Sequence, residues 1–171
     1  MEIINANTKM FKNDFVWSKT RLTNSFYARH GINRSHENIL MFYDKKPIYN
    51  LLKYHTKESS LKNGKARVSS KDYETLEPFT TNIYTPRLPL SVMEYNPATP
   101  KTSIHRTQKP ISILETLIKY YSDDDAVVLD PTMGSGSTGE ASHNLGRKFI
   151  GIELDKTIYD VAVKRLEELN K

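Results

Sequence analysis

Apolar positions change their spacing along the chain at about residue 109. Before it, DFVWSK (14–19) and NILMFY (38–43) are short runs of β-branched and aromatic residues bounded by polar ones. Each predicts a strand, and TRLTNSFYARHGINRSHE between them predicts a polar loop. From about residue 45 the pattern decays: TKESSLKNGKAR is small and charged, and Pro78, Pro86, Pro89, Pro97 and Pro100 follow closely. Proline fixes the backbone and removes a donor, which excludes long helices and central strands, so 45–104 predicts an irregular insertion.

After Lys109, Ile111, Leu114, Leu117, Ile118 and Tyr121 recur at helical spacing, with Pro110 in the first turn. AVVLD (126–130) predicts a strand buried on both faces, 137–145 a helix ended by Gly146, and FIGIEL (149–154) a second buried strand. A closing helix over 157–169 places Ile158, Val161, Ala162 and Leu166 on one face. Strand, helix, strand and helix with short connections predict a right-handed βαβ unit of a parallel sheet. The fold class expected is therefore α/β, a partial Rossmann-like sheet: 1–44 gives core strands and helix, 45–104 the insertion, and 105–171 the βαβ part.

With 171 residues, 37% of them hydrophobic, the chain has room for one domain with or without an insertion, and not for two full enzyme domains. It carries no apolar run of membrane-spanning length, and MEIINANTKMFKND lacks the apolar core of a signal peptide. Zero cysteines exclude disulfides and thiolate metal sites. These features predict a cytoplasmic protein. The net charge of +5 conceals an asymmetry: residues 1–104 hold 16 Lys and Arg against 9 Asp and Glu, whereas residues 105–171 hold 9 against 11. Seven of the ten tyrosines lie in the basic part, so the insertion is basic and its positive charge is interleaved with flat rings, as a nucleic-acid surface requires. The plain alternative is a solvated lysine-rich face.

Between the two predicted strands of the βαβ part lies DPTMGSGSTG (130–139), in which Gly134, Gly136 and Gly139 fit G-x-G-x-x-G. Glycines allow a sharp turn and close approach to a ligand, and the helix behind offers unpaired N–H groups. A side chain at Gly136 is expected to fill space the ligand needs. Glu153 follows 19 residues after Gly134, where a carboxylate can accept hydrogen bonds from both ribose hydroxyls. Three occupants are compatible: a dinucleotide, S-adenosylmethionine, or none, the loop being a structural turn. Asp130, Pro131, Thr132 and Met133 separate the strand from the first glycine, which widens the loop and leaves a carboxylate at the strand end. That favours a cationic ligand without phosphate, S-adenosylmethionine.

In order and sequence, these residues resemble the N6-adenine and N4-cytosine DNA methyltransferases of the β class. His105, Thr107, Gln108, Lys109 and Pro110 are similar to that family's H-P-T-Q-K-P box, with Arg106 in place of the usual proline; LDPTMGSGSTG and FIGIELD follow, so the resemblance spans 105–165. FVWSKT and RSHENILMFYDKKPIYN resemble the stretch leading into target recognition. The resemblance implies a partial S-adenosylmethionine methyltransferase sheet with double-stranded DNA as partner. Asp130 and the loop residues Met133, Gly134, Ser135, Gly136, Ser137 and Thr138 would cradle the methionine end, with Glu153 on the ribose. Thr107, Gln108 and Lys109 would line the carboxylate side, and Arg21, Arg29, Arg34 and His36 would face DNA. The plainer readings are a solvated helix-start Lys109 and a capping or turn role for Ser35, His36 and Glu37.

Members of that family hold the target amino group with a (D/N/S)-P-P-(Y/F/W) motif, whose ring stacks on the flipped base. No Pro-Pro dipeptide occurs in this sequence, and Asn96-Pro97-Ala98 is the nearest string, so no catalytic residue is assigned. Family order places the motif ahead of Met1, together with further strands of the sheet. The expectation is a truncated or split enzyme with a separate N-terminal half, whose absence leaves the strand at Ala126 without its central neighbour. A non-catalytic module that binds S-adenosylmethionine and DNA is one alternative, and an RNA-directed enzyme another.

Overall fold

A computed structural model of the chain describes residues 2–20, 29–62, 79–97 and 108–169. Arg21, Thr107, His105 and Arg106 lie outside the described residues. The chain divides into two compact units, Met1–Asn50 with Leu90–Lys171, and Leu51–Pro89.

In the first unit a short helix α1 (Glu2–Ala6) precedes β1 (Phe11–Lys19), which pairs antiparallel with β2 (His36–Phe42). Trp17 stands opposite Glu37, and Phe15 opposite Ile39. The second unit holds α2 (Leu51–Tyr54) and the antiparallel pair β3 (Thr56–Lys62) and β4 (Phe79–Thr85). The chain then returns to the first unit as β5 (Val92–Tyr95), parallel to β1, with Met93 opposite Trp17. The stretch predicted as irregular thus contains three strands. Prolines do not prevent β5 because it is short, lies at the edge of the order β2-β1-β5, and has Pro89 and Pro97 outside its ends. Trp17 and Met93 are both buried, and the indole Nε1–H donates to the Tyr95 carbonyl at 2.9 Å.

The remainder of the first unit is α3 (Ile111–Tyr121), β6 (Val127–Asp130), α4 (Ser137–Asn144), β7 (Lys148–Gly151) and α5 (Lys156–Glu168). β6 and β7 are parallel, with Val128 opposite Phe149 and Leu129 opposite Ile150. α4 packs on both strands and against α3 and α5, and α3 also packs on β5. Asp155 caps α5, its carboxylate accepting the N–H groups of Thr157 at 2.8 Å and Ile158 at 3.1 Å. Gly146, at φ +69°, ends the α4 segment with its N–H on the His143 carbonyl.

Tertiary packing departs from the sequence expectation in three places. Pro110 occupies the N-cap position of α3 in extended conformation, and the buried residues are Ile113, Ile118 and Tyr120; of the expected face Ile118 is buried, while Ile111, Leu114, Leu117 and Tyr121 are half-buried. α3 meets α4 on one side and β5 on the other, which rotates its buried stripe. On α5 only Ala162 is buried, while Val161 points outward. The third departure concerns β6 and β7, expected to be buried on both faces: Val127, Leu129, Ile150 and Ile152 are 56%, 58%, 53% and 54% exposed. Side chains alternate across a strand, and among the described residues helices cover only the face carrying Val128 and Phe149.

Candidate functional site

The site begins at the C-terminal end of β6. Asp130 closes a local turn, one carboxylate oxygen accepting the Thr132 N–H at 3.0 Å and the other the Thr138 hydroxyl at 2.7 Å. It thereby fastens the start of the loop to the first turn of α4. The Met133 N–H donates to the Ile152 carbonyl at 2.9 Å, and the Gly136 N–H donates to the Met133 carbonyl at 3.0 Å. The Met133 side chain is buried, and a Cβ on Gly151 would collide with its sulfur, so Met133 serves as a plug between loop and β7.

The three loop glycines have different tasks. Gly134, at φ +53°, would meet no atom within 4 Å if it carried a Cβ, so it turns the chain beside open space. Gly136, at φ +76°, faces α5, where an added Cβ would lie 3.3 Å from the Ala162 Cβ. Gly139 is closed in by Leu166 and Phe149, each 2.8 Å from an added Cβ. The expectation that a Gly136 side chain would fill ligand space is therefore corrected: the open position is Gly134, and Gly136 is reserved for helix packing. Ser135 and Ser137 are buried. The Ser135 hydroxyl donates to the Gln108 side-chain carbonyl at 3.2 Å, and Arg165 donates to the Ser135 carbonyl at 3.1 Å and to Glu140 at 2.5 Å.

Glu153 closes the far side of the loop. One carboxylate oxygen accepts the Gly134 N–H at 2.9 Å and the other the Asp155 N–H at 3.0 Å. The Asp155 hydrogen bond is the largest influence on its carboxyl, which lies below the ordinary glutamate value although desolvation works the other way.

Lys109, two residues before α3, donates to Glu37 at 2.9 Å, and Lys19 pairs with the other oxygen of Glu37 at 2.5 Å. Both ammonium groups lie over the Trp17 ring, 5.0 Å from its centroid for Lys19 and 5.9 Å for Lys109. Desolvation pushes the Glu37 carboxyl up, but the two lysines outweigh it and hold it below the ordinary value. Gln108 and Lys109 thus connect the loop to the β1–β2 pair. Arg29, Arg34 and His36 are exposed; Arg34 donates to Asn38 at 3.2 Å, and among the described residues no hydrogen bond links these three to the loop. Sequence reading missed Arg165, Trp17 and Lys19, because their partners Glu140, Tyr95 and Glu37 lie 25, 78 and 18 positions away and leave no local signal.

Comparison with known proteins gives this geometry a context. A family model described as DNA methylase, of the N6/N4 methyltransferase type, matches residues 1–164. Among solved structures, the M1.HpyAVI–SAM complex superposes with a TM-score of 0.61 at 24% identity, over 96% of this chain and 66% of that one. The cytosine-N4-specific PvuII DNA methyltransferase gives 0.59 at 15% identity, over 96% of this chain and 61% of that one. The fold is accordingly a Rossmann-like methyltransferase fold. In sequence, the chain is 49% identical over 65 residues to the type II methyltransferase M.HinfI of Haemophilus influenzae, covering 38% of this chain and 18% of that enzyme. It is 45% identical over 67 residues to M2.DpnII of Streptococcus pneumoniae, covering 39% of this chain and 25% of that enzyme. The chain belongs to the DNA methylase family. It matches about a fifth to a quarter of the length of these curated relatives.

Proposed function

We propose that this chain is the C-terminal, cofactor-holding portion of a β-class DNA amino-methyltransferase, which transfers a methyl group from S-adenosylmethionine to adenine N6 or cytosine N4 of double-stranded DNA. The observation that carries the reading is the Glu153–Gly134 hydrogen bond beside open space. It sets a carboxylate with spare lone pairs next to the only loop glycine an approaching ligand can reach, and this fits a ribose. Solved neighbours of 24% and 20% identity carry S-adenosylmethionine in their titles, which supports the same choice.

On this reading Glu153 accepts the ribose hydroxyls, Gly134 and Ser135 border the methionine end, and Asp130, Ser137 and Thr138 keep the loop in shape. Met133 and Gly136 act through packing. Gln108 and Lys109 would stand on the carboxylate side, a role the resemblance also gives Thr107, with Glu37 fixing where the Lys109 ammonium rests. When bound, S-adenosylmethionine supplies an electrophilic methyl group on its sulfonium. Arg29, Arg34 and His36 would face DNA, a role the resemblance also gives Arg21. Domain roles follow with shifted bounds: 1–50 with 90–171, including β5, forms the core, and 51–89 contributes to target recognition.

An exocyclic amine is a weak nucleophile because its lone pair is delocalised, so donor and DNA brought together still need groups that localise the pair and hold the flipped base. Without a Pro-Pro-aromatic string in this sequence, those groups would have to come from residues outside it, on the same polypeptide or on another. The same absence favours a second reading, a module that binds cofactor and DNA without transfer. Transfer of labelled methyl to duplex DNA and to RNA decides: none is expected from the chain alone, and DNA methylation is expected once the missing half is added. Robust transfer by the chain alone would contradict the split reading.

A further inference from the structure

Arg165 reaches the glycine loop from α5, the helix on which Gly136 is packed. Its Nε–H donates to the Glu140 carboxylate of α4 at 2.5 Å, and an Nη1–H of the same group donates to the Ser135 carbonyl at 3.1 Å. The Arg165 side chain is 13% exposed, so both bonds are shielded from solvent. A guanidinium carries its donors in a rigid fork, so the carboxylate that fixes Nε also fixes the direction of Nη1. A tie between α4 and α5 would need Glu140 alone; the second arm, on Ser135, acts on the loop.

The hydrogen bonds of the turn sort its peptide planes. The Ser135–Gly136 plane is held at both ends, its carbonyl by Arg165 and its N–H by the Met133 carbonyl at 3.0 Å. The Met133–Gly134 plane is held too, through that same Met133 carbonyl and through the Gly134 N–H on Glu153. Between them, the Gly134–Ser135 plane makes no hydrogen bond among the described residues at either its C=O or its N–H. Ser135 is buried and its hydroxyl is engaged with Gln108, which leaves the N–H as its one polar group without a partner there. A backbone group in a buried residue seldom stays unpaired, and this one adjoins the glycine beside open space.

Such sorting is not automatic in this sequence. Gly134 and Gly136 both have positive φ and no Cβ, so the planes around them turn over against little steric resistance. A loop that turns over must be ordered again whenever a ligand binds, which weakens binding, whereas a fixed loop is preorganised. We propose that Arg165 is the positioning residue of this loop: with Glu140 it locks the Ser135–Gly136 plane, and so keeps the Gly134–Ser135 plane turned to the methionine end of the cofactor. The identity of that ligand rests on the proposed S-adenosylmethionine reading, whereas the lock stands on the hydrogen bonds themselves.

The test compares the whole chain with Arg165→Met and Arg165→Lys by amide hydrogen exchange and by titration. In Arg165→Met, exchange at the Gly136 amide is expected to quicken at least about tenfold more than exchange in β6 and β7. Affinity for S-adenosylmethionine is expected to fall about tenfold or more, and affinity for 5′-methylthioadenosine, which lacks the amino-acid end, by less than about twofold. Arg165→Lys, whose single ammonium lacks the fork, is expected to lie between in both measurements, and it gives the same answer should Arg165→Met fail to fold. A merely structural arginine would quicken exchange equally in loop and strands and weaken both ligands alike. Either result, or no change at Gly136, would overturn the inference. If the wild-type chain binds neither ligand while Gly136 exchange responds as expected, the lock stands and the cofactor reading falls.

Discussion

The carboxylate of Glu153, two residues past β7, accepts the N–H of Gly134 at 2.9 Å and so links the two strand ends that flank the glycine loop. Glu153→Ala removes both this link and the acceptor proposed for the ribose, and a loss of S-adenosylmethionine affinity of about tenfold or more is expected by titration calorimetry. Because the hydrogen bond from Asp155, then that from Gly134, holds the carboxyl below its ordinary value, its contribution to stability is complete above the ordinary glutamate range. That contribution is lost as pH falls through the lower folded value. Cofactor affinity is expected to be level from neutral pH down to the ordinary range, and to decline below it.

The glycines separate packing from binding. Gly136→Ala places a side chain at φ +76° and 3.3 Å from Ala162, and should cost about 1–2 kcal/mol of stability in denaturant unfolding. Gly139→Ala meets Leu166 and Phe149 and should cost about 1–3 kcal/mol. Gly134→Ala bears only the backbone strain, so it should destabilise less than Gly136→Ala, while a larger residue there should reduce cofactor affinity. Equal effects at Gly134 and Gly136 on both readouts would contradict this division.

The sequence made the loop, β6, β7, α4 and α5 legible, because each rests on residues a few positions apart: glycine spacing, a short apolar run, apolar residues at helical spacing. What stayed hidden depends on distant neighbours. Gly136 looked like a ligand-facing glycine, and only the approach of Ala162 from α5 shows otherwise. The edge strand β5 was masked by flanking prolines, and its pairing with β1 spans more than seventy residues. Val127 and Leu129 read as fully buried from composition alone, since a β-branched run carries no record of which face is covered. The Lys109–Glu37 pair likewise joins residues 72 positions apart.

Arg147 anchors the turn into β6. Its buried guanidinium donates to the Ser122 carbonyl at 3.1 Å and to the Ser122 hydroxyl at 3.2 Å, and pairs with Asp124 at 2.9 Å. Arg147→Met removes these hydrogen bonds, although Asn50 still donates to the Ser122 carbonyl at 2.8 Å, and should lower unfolding stability by about 1–3 kcal/mol. An unchanged midpoint would show that the turn is held by other contacts.

The Lys19–Glu37–Lys109 cluster sits beside the exposed His36 on the strand pair proposed to face DNA. Glu37→Gln removes the negative charge between two lysines, and duplex DNA binding should strengthen with a steeper salt dependence. Wild-type affinity should fall by more than about tenfold between roughly 50 and 200 mM salt if several cations contact phosphates. Arg29→Glu with Arg34→Glu should flatten that dependence. A salt response that is flat in the wild type would assign the basic residues to solvation alone.

The central claim is that the Asp130–Gly139 loop and Glu153 seat S-adenosylmethionine. Calorimetric titration of the whole chain with that compound, run beside Glu153→Ala, tests it most directly. One saturable site per chain, weakened about tenfold or more by the substitution, is the predicted result. No detectable binding, or equal affinity in both proteins, would contradict it.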